Sequence, residues 1–208
     1  MKKHILLFCI VLLGCQLFAQ NTELTGEKRT AVVSAIEKAH KQMTSLSATF
    51  TQEKSSSMFT EKVIQKGKIF YKSPRQLRWE YTTPKSMAII FNNGKVLLKN
   101  EKGTTNNPNK MLSEMGNMIM NTINGNLLQD NTNFQTKYYK NSKTGDYVVV
   151  LTPLNKRIKA YYKDITITLN AKTYLADKVV MNEVNGDSTA ILFADKKTNG
   201  TLSDSLFK

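Results

Sequence analysis

The chain has 208 residues, with 30 Lys and Arg against 16 Asp and Glu, a net charge of +14 and 40% hydrophobic residues. One domain of that length buries a sizeable core, and two small ones are the most it allows. Both cysteines, Cys9 and Cys15, fall at the very start, so a chain that loses its start has no disulfide, thiol nucleophile or thiolate metal site.

The opening MKKHILLFCIVLLGCQLFAQ sets basic Lys2 and Lys3 before an apolar run from Ile5 to Leu13 and neutral residues before Gln20. That is the layout of a secretory signal, too short to anchor in a bilayer. Two cuts stand open. Leu17, Phe18 and Ala19 suit cleavage after Ala19, giving a signal over 1–19 and a soluble single domain over 20–208. Leu12, Leu13, Gly14 and Cys15 instead resemble a lipobox, which leaves Cys15 lipidated and the product tethered. The first cut removes two basic and no acidic residues, leaving 28 against 16, a net +12. In an exported protein that charge points to acidic proteins or anionic lipid surfaces, and not to nucleic acid.

Next, Val32, Val33, Ile36, Ala39, His40 and Met43 recur at three- and four-residue spacing, which predicts an amphipathic helix from Thr30 to Met43. Leu46, Ala48 and Phe50 then alternate with Ser47, Thr49 and Thr51, the two-residue period of a strand. After a Ser-rich bend, GKIFYKSPRQLRWEYTTP places Ile69 and Tyr71, then Leu77, Trp79 and Tyr81, on one side of two strands joined at a Pro turn. Arg78 and Glu80 take the wet side. Asn93 and Gly94, between the apolar runs Met87 to Phe91 and Lys95 to Lys99, signal a two-residue hairpin. The Asn, Pro and Thr of 104–110 read as a loop, and Met111, Leu112, Met115, Met118, Ile119 and Ile123 return to helical spacing. Strands follow at Tyr147 to Thr152, around Ile165, Ile167 and Leu169, at Leu175 to Glu183 and at Ser188 to Phe193. Nine or ten strands with two helices predict an α+β fold: a strongly curved antiparallel sheet with helices on one face.

The sequence carries no recognisable catalytic motif. His4 sits in the signal and His40 on a helix; there is no nucleophile elbow, metal-ligand spacing or phosphate-cradling glycine loop. Glu61, Glu80, Asp164, Asp177 and Glu183 alternate with apolar strand residues and read as solvated faces, although a hydrolytic carboxylate pair among them stays open. Neither cofactor nor metal is expected. Apolar surface is what remains: an aromatic strand face roofed by a Met-rich helix forms either a packed core or a pocket able to take acyl chains.

Phe50-Thr51-Gln52 after a first helix, the Gly67 to Pro84 run, the Asn93-Gly94 hairpin and Leu151-Thr152-Pro153 resemble the periplasmic outer-membrane lipoprotein carrier family, LolA, from about Ala31 to Phe207. The resemblance implies an incomplete β-barrel with a helical lid over an apolar cavity, and no enzyme activity. It implies a periplasmic monomer that takes lipid-modified lipoproteins from an ATP-driven extraction complex in the inner membrane and passes them to the outer membrane, through a receptor there in many cases. The same fold would also suit a free glycolipid or a lipid-linked pigment. The expected acyl-chain cavity comprises Phe50, Ile69, Tyr71, Leu77, Trp79, Tyr81, Met87, Ile89, Phe91, Met111, Met115, Met118 and Ile119. The family's lid arginine, directly before the turn proline, is Ser73 here, with Arg75 the nearest substitute, and the aromatic two residues before Trp79 is Leu77.

Overall fold

A computed structural model describes residues 21–58, 60–107 and 110–208, with the backbone alone at 110, 111 and 115. The expected signal over 1–19 and the side chains of Met111 and Met115 lie outside the described residues.

Twelve described strands form one antiparallel sheet. In chain order they are β1 (Asn21–Glu23), β2 (Ser45–Ser55), β3 (Val63–Lys72), β4 (Gln76–Thr83), β5 (Met87–Asn92), β6 (Lys95–Asn100), β7 (Gly103–Asn106), β8 (Phe134–Asn141), β9 (Tyr147–Pro153), β10 (Tyr162–Leu169), β11 (Ala176–Glu183) and β12 (Ser188–Thr198). Their spatial order is β1-β8-β9-β10-β11-β12-β2-β3-β4-β5-β6-β7, with β1 and β7 as unjoined edges, so the sheet does not close into a barrel. Helix α1 is Gly26–Lys41, α2 is Lys110–Ile123, and α3, Lys156–Lys159, is a single turn.

The alternation in the sequence becomes the two faces of the sheet. Leu46, Ala48, Phe50, Ile69, Tyr71, Leu77, Trp79, Ile89 and Phe91 share one buried cluster with Met120 of α2. A second cluster joins Ile36 of α1 to Phe134, Tyr138, Val149, Leu151, Ile165, Ile167 and Leu169. On β5 the opposite face is buried as well, since Ala88 and Ile90 pack against Phe207, with Phe70, Leu97, Leu202 and Leu206 around them. The C-terminal turn is clasped there by polar contacts. Arg78 Nη1 donates to the Leu206 carbonyl at 3.2 Å, Asn92 Nδ2 to the Phe207 carbonyl at 3.1 Å, and Lys72 Nζ to Asp204 at 2.6 Å.

Two sequence details fix the local geometry. The Asn93-Gly94 hairpin has φ of 48° and 90°, the pair of positive values its two-residue turn requires. Gly67 faces Phe50 in register, and a Cβ on it would stand 2.0 Å from the Glu80 carbonyl and 2.5 Å from the Phe50 ring, so only glycine lets that ring lie flat across the strand.

Several expectations are corrected. Helix α1 begins a turn earlier than Thr30 and stops at Lys41, with Met43 beyond its end; Glu27 in its first turn and Lys38, His40 and Lys41 in its last complement the helix dipole. The expected loop over 104–110 is in part β7, whose residues are all exposed, and an edge strand wet on both sides has no period to read. The count of nine or ten strands rises to twelve among the described residues because β1, β7 and β8 carry weak patterns. In β8 the buried positions are Phe134, Thr136 and Tyr138, a polar residue splitting the apolar pair.

Candidate functional site: an apolar hollow under a helical roof

Trp79 and Tyr81 of β4 line the same hollow as Ile165 and Ile167 of β10. Five strand spacings separate β4 from β10 in the sheet order, about 24 Å along a flat sheet, so the two meet across one cavity only because the sheet curls. Leu46, Ala48 and Gln52 of β2, Ile69 of β3, Val179 and Met181 of β11, and Ile191 and Phe193 of β12 complete the walls, while Met118, Ile119, Thr122 and Ile123 of α2 form the roof. The cavity volume is about 160 Å³, and among the described residues no carboxylate lines it. At about 24 cal/mol per Å³, leaving such a hollow unfilled costs roughly 4 kcal/mol, a large share of a typical domain's stability.

Aromatic rings hold the β4 wall. Phe50 and Trp79 have centroids 4.3 Å apart, and Trp79 meets Phe193 edge-on at 6.2 Å. Phe50 meets Tyr81 edge-on at 5.5 Å. Tyr81 Oη donates to Gln52 Oε1 at 3.3 Å, and Gln52 Nε2 to Gln65 Oε1 at 3.0 Å. Burial pushes the Tyr81 phenol above its ordinary pKa, with the Trp79 indole and Gln52 partly offsetting it. Beyond these polar groups the strands run out to an exposed rim carrying Val63, Ile64 and Met87.

The roof is tied down by side chains. Tyr71 Oη donates to Asn124 Oδ1, just past α2, at 2.5 Å. Buried His40 of α1 places Nδ1 2.5 Å from the Ile123 carbonyl and Nε2 3.0 Å from the Tyr174 carbonyl, joining α1, the end of α2 and the turn before β11. Gly116 of α2 sits directly on Phe91, where a Cβ would come within 2.2 Å of the ring.

Of the residues expected at the cavity, Ile69, Trp79, Tyr81, Met118 and Ile119 line it. Phe50, Tyr71, Leu77, Ile89 and Phe91 are packed in the adjoining core and do not form the lining. Met87 stands 36% exposed on the rim. Ser73 and Arg75 are both exposed, and the bonds found there are backbone ones, Ser73 N–H to the Thr44 carbonyl and Asn93 N–H to the Arg75 carbonyl. The side-chain ties seen on the roof are those of Tyr71 and His40. The wall from β10, β11 and β12 was missed, although its strands show the same alternation. None of the candidate carboxylates lines the hollow, and four have partners: Glu80 with Arg78 at 2.8 Å, Glu183 with Lys54 at 3.9 Å, Asp164 with Asn182 at 2.7 Å, and Asp177 with Lys196, whose own side chain belongs to the lining. Glu61 is exposed.

An open, curled antiparallel sheet enclosing an apolar hollow beneath helices defines a binding protein for an apolar guest. Residues 41–208 match the family model described as Outer membrane lipoprotein carrier protein LolA, and the chain belongs to this LolA family. Proteins of the family are carriers and binding proteins, generally extracytoplasmic. No curated protein matches the chain. Among solved structures, a LolA superfamily protein of Nitrosomonas europaea is 10% identical over 86% of this chain and 96% of its own, with a TM-score of 0.47. A DUF1329 family protein of Desulfovibrio piger is 10% identical over 87% and 96%, with a TM-score of 0.50. MucB in its complex with MucA from Pseudomonas aeruginosa is 12% identical over 86% of this chain and 60% of that one, also at 0.50. At such identities the likeness is one of fold. No helix among the described residues is long and apolar enough to cross a membrane.

Proposed function

We propose that the protein is a periplasmic, non-enzymatic carrier that shields the acyl chains of lipid-modified lipoproteins and moves them from the inner to the outer membrane. In this reading an ATP-driven inner-membrane complex loads it and an outer-membrane acceptor unloads it. The observation that carries the reading is the hollow itself, lined predominantly by apolar side chains and retained at a cost in packing.

Each methylene kept from water is worth about 0.8 kcal/mol, so even partial cover of a multi-chain anchor keeps the cargo soluble. A cavity of about 160 Å³ holds a guest of roughly benzene size, far short of one long chain. Loading therefore requires α2 to rise from the sheet, and its reclosure limits affinity so that release to a membrane runs downhill. Unbranched Met118 and Met181 on roof and wall adapt to chains of differing length.

Purified residues 20–208 mixed with a detergent-solubilised, lipid-modified lipoprotein test this. The carrier is expected to keep the cargo in the supernatant after detergent removal, and Ile119→Glu, at a half-buried position of the lining, to abolish this with circular dichroism unchanged. Sedimentation of all cargo with the unaltered carrier would refute the reading. Retention of a glycolipid or pigment in its place would assign the hollow to a free lipid.

A further inference from the structure

Trp79 is 3% exposed, yet its Nε1–H has no hydrogen-bond acceptor among the described residues. Tyr81, its neighbour on the same strand, lies close enough for the indole to lower the phenol's pKa, but the two groups miss hydrogen-bond geometry, and Tyr81 directs its own proton to Gln52. A buried donor left unmade costs on the order of 1–3 kcal/mol, and native folds keep few of them. A phenylalanine here would bury a similar ring with no such donor. Trp79 is also the chain's sole tryptophan.

Position gives the donor a meaning. Trp79, Tyr81 and Gln52 all line the hollow. They stand where its apolar wall gives way to the exposed strand ends, with Glu53 and Lys54 following Gln52 and Thr82 and Thr83 following Tyr81. An acyl lipid has the same order of chemistry along its length, with hydrocarbon first, then one carbonyl oxygen per chain, then the polar head. A carbonyl accepts hydrogen bonds and carries no charge, so it can enter a low-dielectric wall that would reject a phosphate or carboxylate.

We propose, building on the carrier reading above, that the Trp79 indole N–H is the receptor for an ester or amide carbonyl at the head end of a bound chain, with Gln52 and Tyr81 as the flanking polar pair. The hollow then prefers acyl chains to ether-linked alkyl chains of equal length. In the closed molecule the N–H is covered, and it finds its acceptor when α2 rises and a chain enters.

The test compares dioctanoylglycerol with its dioctyl ether analogue, titrated into isotope-labelled residues 20–208 and followed by calorimetry and by the single indole N–H resonance. The diacyl lipid is expected to bind roughly fivefold to tenfold more tightly, the worth of one buried hydrogen bond, and to move the indole proton downfield, while the ether lipid leaves it near its starting position. In Trp79→Phe the preference falls to parity; should that variant not fold, the resonance in the unaltered protein decides alone. Equal affinities with equal indole shifts would overturn this inference and leave the carrier reading intact, whereas binding of neither lipid would overturn both. A diacylglyceryl-cysteinyl peptide forms a further arm: a larger downfield shift with the peptide assigns the carbonyl to lipid-modified protein, a larger one with dioctanoylglycerol assigns it to free lipid, and either supports the site.

Discussion

Gly116→Ala tests whether α2 is clamped on the sheet. In a solvent-facing helix position the change from glycine to alanine stabilises by about 1 kcal/mol. Here the new Cβ would lie 2.2 Å, 2.3 Å and 2.6 Å from three atoms of the Phe91 ring, where ordinary contact begins at 3.4 Å. Phe91 is 3% exposed and boxed in by the core, so it cannot swing aside. Overpacking of this kind costs about 1–3 kcal/mol, which cancels the propensity gain at the least and leaves a net loss of up to about 2 kcal/mol. Replacing Phe91 by alanine removes the obstacle at a cost of its own of about 3–5 kcal/mol. In that background Gly116→Ala should turn stabilising, by about 1 kcal/mol. Urea unfolding followed by circular dichroism, run as a double-mutant cycle, reads the change of sign. If Gly116→Ala stabilises the otherwise unaltered protein, α2 does not press on Phe91 and the roof is not closed as described.

Other consequences are equally open to measurement. Phe207 is fully buried against Ala88 and Ile90, so Phe207→Ala should lower stability by about 3–5 kcal/mol in denaturant titration, while Leu154→Ala, on an exposed side chain, should change it by less than about 0.5 kcal/mol. Three tyrosines titrate above their ordinary value of 10.0, each chiefly through burial: Tyr81, Tyr138, and Tyr162, which Glu183 raises further. Their contribution is intact below the unfolded value and is lost as pH rises through it toward the folded values, because the unfolded chain gives up its protons first. Thermal melts should therefore fall steadily above pH 10.0, and less steeply in Tyr138→Phe; a flat profile there would contradict the burial assigned to them. His40→Ala removes the bridge between Ile123 and Tyr174 and should speed hydrogen exchange in the last turn of α2 more than in β9, whereas uniform acceleration would make His40 an ordinary core residue.

How far the sequence carried these conclusions differs by element. The two-residue period of Ile69, Trp79 and Tyr81 named the correct face of the correct strands, since side-chain direction in a strand follows from spacing alone. The same period placed Phe50, Leu77 and Phe91 on that face as well, but whether a side chain lines a hollow or fills it depends on the curl of the sheet and the height of α2, which no spacing encodes. His40 looked like one more residue on an apolar stripe. Its partners are carbonyls 83 and 134 residues away, and a backbone acceptor leaves no mark in the sequence. The turn at Ser73 and Arg75 drew attention because of its place beside Pro74, yet the ties on the roof start from Tyr71, two residues earlier, whose ring already lay on the buried side. The C-terminal clasp was hidden for another reason, because Leu202, Leu206 and Phe207 have neither strand nor helix period and are buried only by what β5 turns toward them.

The lone tryptophan on the cavity wall makes the central claim directly measurable. Titrating residues 20–208 with a lipid-modified peptide whose acyl chains carry bromine, and with the same peptide unbrominated, should give strong quenching of Trp79 emission by the first and little by the second, since bromine quenches an indole only at contact. Equal emission with both, at concentrations where calorimetry shows the peptide bound, would mean that the chains rest elsewhere on the protein and that the hollow beneath α2 is not where it carries its cargo.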